Sequence, residues 1–319
     1  MDTSQLSYAG GYLNRAGNLR KNSEWVNSQL LNSETLIIPV WKSHNLITYS
    51  DNSASTPKAV QCKGKIAEVI INSTSTIVFL GLDNGTAIFA ADLSECKEKE
   101  AISLIGEGKF IDLRKVGPLL KKEEATLMAY ARGILYSHIN YRYCGKCGHV
   151  TESREGGHMR LCTNLDCKNE IFPRTDPAVI MLVEYIPQNG EPPKCLLGSN
   201  AKWPKGFYST LAGFVETGES LEEAVIREVD EEVGVKIGSV KYQTSQPWPF
   251  PSSIMLGFRA QAITTEITVD KNEIREARWF TVEELLECGE WGDNSSKYHL
   301  SRKDSISRFL IDTWIEENR

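Results

Sequence analysis

From residue 36 to residue 93 the apolar positions come in short runs: LIIPVW at 36–41, NLITYS at 45–50, STIVFLGL at 75–82 and TAIFAADL at 86–93. Asn, Gly and Ser separate them, so the runs predict strands, and the region up to about residue 122 is expected to be an α+β or mostly β domain. The period then changes. KEEATLMAYARGILYSHINY, 122–141, sets apolar residues at helical spacing behind two acidic residues, which predicts a helix. A strand-like run resumes with PAVIMLVEY at 177–185. Beyond it the pattern predicts a strand near 195–198, a helix from about 220 to 233, strands near 237–244 and 254–264, and helices near 281–288 and 303–317. Pro173 and Pro177 mark a boundary, and neither a long internal repeat nor a low-complexity tract is visible.

These patterns divide the chain into an amino-terminal α+β domain at 1–141, a small cysteine module at 142–172 and a second domain at 173–319. The length of 319 residues fits more than one hydrophobic core. With 41% hydrophobic and 24% charged residues, and no apolar run of about 18 residues, a soluble globular protein without a membrane span is expected. The formal charge of −6 argues against a large basic surface, so any nucleotide must be gripped locally. The segment MDTSQLSYAGGYLNR lacks the order of a signal peptide and the chain does not end on a peroxisomal signal, which predicts a cytoplasmic protein.

Four of the eight cysteines fall in two pairs, Cys144 with Cys147 and Cys162 with Cys167, as C-x2-C and C-x4-C. Four thiolates close a tetrahedral Zn²⁺ site with no open position, so a structural zinc is expected in a reducing compartment. Gly145 and Gly148 suit the turn of the first pair. His149 and His158 are expected at the surface, because four sulfurs complete the site. Cys62, Cys96, Cys195 and Cys288 are expected to be small buried or half-buried residues.

The segment GFVETGESLEEAVIREVDEEVGV, 213–235, concentrates the chemistry. On a helix, Glu228, Glu231 and Glu232 stand at i, i+3 and i+4 and line one face, where their oxygens suit Mg²⁺ or Mn²⁺. A solvated helix would interleave lysines; here there is only Arg227, placed to orient a neighbouring carboxylate. Leu221, Ala224, Val225 and Val229 supply a face to bury, and Gly234 can end the helix. Cations held there would neutralise a pyrophosphate and help ionise the attacking water.

This segment matches the Nudix box, G-x5-E-x7-R-E-U-x-E-E-x-G-U with U aliphatic, at every fixed position. The resemblance implies an α/β/α sandwich in the carboxyl-terminal domain. SQPWPFPSS at 245–253, the four-cysteine module, and the opening Tyr8-Ala-Gly-Gly-Tyr-Leu-Asn-Arg15 are similar to the NADH pyrophosphatase branch of the Nudix hydrolases. That likeness implies metal binding by Glu228, Glu232, Glu273 and the carbonyl of Ala212, with Glu231 the remaining carboxylate of the box. It implies a nucleotide-binding loop of Gln246, Pro247, Trp248, Pro249, Phe250, Pro251, Ser252 and Ser253. Phe172 stands where relatives place a tyrosine that stacks on a base, and Ser307 where they often have alanine near the ligand. A homodimer is also implied. The prolines fix their own backbone angles and would present Trp248 and Phe250 as rigid faces, whereas Trp203 and Trp279 are expected in core or rim.

The expected activity is metal-dependent hydrolysis of the pyrophosphate of NADH or NAD⁺, giving reduced or oxidised nicotinamide mononucleotide and AMP. Removal of NAD caps from RNA, or a broader action on ADP-ribose and dinucleoside polyphosphates, are the alternative enzymatic readings. A non-catalytic zinc-ribbon binding protein is the competing class, and an intact carboxylate set speaks against it.

Overall fold

The computed structural model describes residues 6–49, 56–293 and 296–319; Ser50, at the end of the second strand-like run, and the first five residues lie outside them. The chain forms two compact units, one of residues 7–175 with 248–252 and the other of 176–247 and 253–319 with residue 6.

The first unit contains α1 (Ser23–Leu30), β1 (Leu36–Trp41), β2 (His44–Tyr49), β3 (Pro57–Ala59), α2 (Lys65–Ser73), β4 (Ile77–Asp83), β5 (Thr86–Asp92), α3 (Glu98–Ile105), β6 (Lys109–Ile111), α4 (Leu113–Val116) and α5 (Lys122–Asn140). The sheet runs β3-β2-β1-β5-β4 with β6 also on β2, and β1 and β5 are parallel. Alternation along the strands explains its two covers. Ile38, Val40, Ile47, Val78 and Leu80 pack on α5, while Ile37, Leu46, Phe79 and Phe89 pack on Ala67 and Ile70 of α2 and Ala101 and Ile105 of α3. The helices α1 to α4 are absent from the strand-dominated sequence pattern. KIAEVIINS is rich in β-branched residues, yet it forms α2 and buries Ala67 and Ile70, one helical turn apart.

The same unit holds the three-stranded ribbon β7 (Thr151–Arg154), β8 (Met159–Cys162) and β9 (Glu170–Ile171). Its polar joint to α5 explains why the ribbon and the amino-terminal region cluster together. Buried His138 on α5 meets the Gly157 carbonyl at 2.7 Å through Nε2 and Arg160 at 2.9 Å through Nδ1, and Arg160 also donates to the carbonyls of Tyr141 and Thr151. His158 corrects the surface expectation. It is half-buried, with Nε2 2.8 Å from the Phe79 carbonyl, and burial pushes its imidazole down to about 4. His149 is exposed as expected.

The second unit contains β10 (Asp176–Tyr185), β11 (Lys194–Asn200), β12 (Phe207–Tyr208), β13 (Leu211–Phe214), α6 (Leu221–Val233), β14 (Ile237–Trp248), β15 (Ser253–Ala262), β16 (Ile274–Phe280), α7 (Val282–Leu286), β17 (His299–Leu300) and α8 (Ile306–Asn318). The sheet runs β14-β15-β10-β11-β16, with β13 also on β10 and β10 parallel to β15. Val179, Met181 and Val183 of β10 face Ala224, Val225, Val229 and Val233 of α6, while α8 packs on β10 and β15 with Ile306, Leu310, Ile311 and Trp314 buried. This is the α/β/α sandwich expected from the box. Among the described residues no helix is long and apolar enough to cross a membrane.

Candidate active site

Local sequence fixes the carboxylate helix. Ser220 accepts from Glu223 N–H at 3.2 Å while the Glu223 carboxylate accepts from Ser220 N–H at 2.7 Å, a reciprocal cap that starts α6. Gly234 ends it in the left-handed region, φ 71°, donating to the Asp230 carbonyl. The start of the box is placed by β13, where Gly213 pairs with Val179 and Ala212 with Ile180. A Cβ on Gly213 would lie 1.9 Å from the carboxyl carbon of Glu228, so the glycine is required for the helix carboxylate to approach the strand.

Arg227 organises the acidic face. Its Nε and Nη2 donate to Glu219 at 2.6 and 2.9 Å, and Nη1 donates to Glu228 and Glu231, both at 2.9 Å. Nη2 also reaches the Phe214 carbonyl at 2.9 Å. This fork holds the Glu219 carboxyl down at about 2, helped by the Glu216 N–H. The clamping role of Glu219 is not evident in the sequence, because it precedes the helix and no helical spacing links it to Arg227. Phe214 is likewise unanticipated; its ring is 60% exposed beside Gly213.

Glu232 differs from its neighbours. It is only 7% exposed, its Oε2 has no hydrogen-bond partner among the described residues, and burial together with Glu228 and Glu273 pushes its carboxyl up to about 8. Burial raises the Glu228 carboxyl as well. An unpaired buried carboxylate oxygen is costly, and a divalent cation would relieve that cost and the mutual repulsion at once. Glu228, Glu232 and the exposed Glu273, whose charge acts on both, offer hard oxygen donors fitting such an ion.

The four sulfurs of Cys144, Cys147, Cys162 and Cys167 lie within 4.8 Å of one another, with Cys144 to Cys167 at 3.8 Å and Cys147 to Cys162 at 3.4 Å. A tetrahedron with Zn–S bonds of about 2.3 Å has edges of about 3.8 Å, so the donor set fits zinc. Gly148, φ 75°, donates to the Cys144 carbonyl and makes the turn; Gly145 is not left-handed.

The remaining residues fall into different surroundings. Gln246 is fully buried, donating to the Asp304 carbonyl at 2.7 Å and accepting from Ile306 N–H at 2.8 Å. The hydroxyl of buried Ser307 meets Ser209, Ser301 and Thr210 N–H at 2.8, 2.9 and 3.1 Å. Trp248 and Phe250, half-buried, pack edge-on against Tyr8 with centroids 5.9 and 5.7 Å away, and Arg132 lies 4.7 Å over Phe250. Pro249 is buried, Pro247 and Pro251 are exposed, and Ser252 and Ser253 are half-buried. Phe172 is exposed. Trp203 and Trp279 are half-buried, Trp279 donating to the Thr265 carbonyl. Of the scattered thiols, Cys62 and Cys195 are buried and Cys96 and Cys288 half-buried, as expected.

Comparison with known proteins agrees with this layout. Residues 34–136 match the NADH pyrophosphatase-like rudimentary NUDIX domain, 139–172 the NADH pyrophosphatase zinc ribbon domain and 176–301 the NUDIX domain. The NAD-capped RNA hydrolase NUDT12 of Homo sapiens is 46% identical over 205 residues, 62% of this chain and 43% of that protein. NUDT12 of Pongo abelii is 34% identical over 339 residues, covering 96% and 72%, and the NAD-capped RNA hydrolase of Schizosaccharomyces pombe is 32% identical over 346 residues, covering 95% and 91%. The chain thus spans less than half the length of the human relative and most of the yeast one. The complete box, the four-sulfur ribbon and similarity along nearly the whole chain establish that it belongs to the zinc-ribbon-bearing NADH pyrophosphatase family of Nudix hydrolases.

Proposed function

We propose that this chain hydrolyses the pyrophosphate of NADH and NAD⁺ to the nicotinamide mononucleotide half and AMP, and cuts the same bond where the dinucleotide caps an RNA. The observation that carries this reading is the buried, unpartnered Glu232 Oε2, grouped with Glu228 and Glu273. Those three, with the Ala212 carbonyl, would hold Mg²⁺ or Mn²⁺, whose charge would offset that of the pyrophosphate and lower the pKa of the attacking water. Arg227 fixes the rotamers of Glu228 and Glu231. Glu231, 61% exposed at its side chain, is the remaining carboxylate of the box in this assignment. Zinc at the four cysteines holds the ribbon. The nucleotide contacts are assigned to Phe172, Ser307 and the 246–253 loop, on resemblance to the family. The RNA reading is favoured by the activity for which the human and yeast relatives are named. A homodimer in the cytoplasm goes with the same family reading, and light scattering and cell fractionation test those two points.

The decisive experiment incubates the protein with NADH, NAD⁺, ADP-ribose, diadenosine polyphosphates and NAD-capped RNA in Mg²⁺ and in Mn²⁺, with products identified by mass spectrometry. Nicotinamide mononucleotide and AMP from NADH are expected. Turnover confined to ADP-ribose or diadenosine polyphosphates would overturn the NAD(H) assignment in favour of the broader hydrolase.

A further inference from the structure

The loop at residues 201–206 of the second unit carries an aromatic and basic arrangement outside both the carboxylate cluster and the residues assigned to the nucleotide. Its backbone is fixed at both ends. Ala201 N–H donates to the carbonyl of Glu273 at 3.0 Å, Arg275 Nη1 donates to the Trp203 carbonyl at 2.7 Å, and the Gly206 carbonyl accepts from His299 N–H at 2.8 Å. Gly206 is left-handed, φ 83°, and a Cβ there would lie 2.6 Å from the Lys297 carbonyl. The loop is therefore held, and it is tied to the backbone of one of the proposed metal ligands.

On this frame four rings form a connected cluster, two contacts edge-on and one stacked. Trp203 meets Trp291 edge-on at 5.8 Å, Trp291 meets Phe207 at 4.6 Å, and Phe207 lies flat on His299 at 4.7 Å and 15°. His299 is buried beneath with neither ring nitrogen hydrogen-bonded among the described residues, so it serves as a backing layer for Phe207. Trp291 remains 39% exposed, and exposed Lys202 and Lys205 flank Trp203. Fixed aromatic faces beside lysines are what binds single-stranded nucleic acid without sequence preference: bases stack and phosphates meet the cations. In a chain of net charge −6 this suits a small footprint.

We propose that Trp203, Trp291, Lys202 and Lys205 form a platform for the single-stranded RNA that continues from an NAD cap, an inference that rests on the RNA reading of the proposed function. Free NADH has no chain beyond its second nucleoside to place there.

The test compares wild type, Trp291→Ala and the Lys202→Glu/Lys205→Glu double variant on NADH and on a short 5′-NAD-capped oligoribonucleotide. Circular dichroism checks the fold, and the lysine variant covers the case in which Trp291→Ala does not fold. Both variants are expected to keep kcat/KM on NADH within about twofold. On capped RNA, loss of one stacking face should cost roughly 5- to 150-fold, and the lysine variant should flatten the salt dependence by about 0.7 units of log–log slope for each phosphate it no longer neutralises. Equal losses on both substrates, or no loss on RNA, overturn the platform. Binding of an uncapped 5′-phosphorylated oligoribonucleotide, read by anisotropy in a Glu232→Gln background, separates the two readings. Weaker binding by the variants supports the platform even if wild type cuts neither substrate, and unchanged binding overturns it even if capped RNA is cut.

Discussion

Gly213 and Glu228 touch: the strand glycine leaves just enough room for the helix carboxylate, whose oxygens would lie 2.0 and 2.2 Å from any Cβ placed there. Gly213→Ala must therefore displace the Glu228 carboxylate from its place against β13. A displacement near 1 Å in a positioned catalytic group costs on the order of 100-fold. We expect kcat on NADH to fall by roughly that factor or more and the Mn²⁺ dissociation constant to rise, with the far-UV spectrum unchanged. Wild-type turnover in Gly213→Ala would show that Glu228 does not act from this position.

Glu232→Gln separates activity from stability. The substitution is nearly isosteric and removes one proposed metal ligand, so kcat should drop by at least about 100-fold on every substrate, because the lost stabilisation belongs to the transition state. In EDTA the same change should stabilise the fold at high pH. The folded carboxyl of Glu232 sits up at about 8, above an unfolded value near 4.3. Its contribution to stability is thus fully present below about pH 4.3 and is lost as pH rises through 8. Thermal melts of metal-free protein from pH 5 to 9 should show wild type losing ground to Glu232→Gln as pH rises. Parallel curves would mean that Glu232 is ionised in the metal-free fold throughout.

How much of this was legible in the sequence follows from where the constraints are local. The helix α6 was legible because its cap, apolar stripe and terminating glycine all lie within 220–234. The clamp by Glu219 was not, since it depends on a turn folding back on the helix. The half-buried state of His158 was hidden because its partner, the Phe79 carbonyl, is 79 residues away. Strand β14 runs on to Trp248 through Pro247, where sequence reading stops near residue 244; as an edge strand it tolerates a residue that cannot donate to the ladder. The packing of Trp248 and Phe250 on Tyr8 joins residues about 240 positions apart, beyond any local pattern.

The ribbon makes a separate prediction. Purified protein should contain about one zinc per chain, and Cys147→Ser should lower the melting temperature or the soluble yield, because structural zinc contributes folding free energy directly. Turnover by the fraction that stays folded should be little changed, since no cysteine belongs to the carboxylate cluster. Absence of zinc by elemental analysis, or loss of activity on zinc removal with the fold intact, would contradict a structural role.

The last prediction concerns Trp248, where packing and recognition compete for one ring. Its edge contacts with Tyr8 and Phe250, at 5.9 and 5.1 Å, leave it half-buried, so Trp248→Ala should cost about 1–3 kcal/mol of stability, less than the 3–5 kcal/mol of a fully buried large aromatic. If the exposed part of the ring also faces a substrate base, kcat/KM on NADH and NAD⁺ falls by roughly 5- to 150-fold at a temperature where the variant remains folded. ADP-ribose, which lacks the nicotinamide, should lose less if Trp248 faces that ring and as much if it faces adenine. Tyr8→Ala supplies the control: it removes the same edge contact and leaves Trp248 in place, so it should lower the melting temperature while preserving the ratio of NADH to ADP-ribose turnover. Measuring both variants on the three substrates in one buffer at matched metal concentration decides the matter. A loss for Trp248→Ala beyond that of Tyr8→Ala assigns the ring to recognition, a shifted ratio placing it against the nicotinamide and an unshifted one against adenine, whereas no loss on any substrate reduces the loop to a packing corner between Tyr8 and α5.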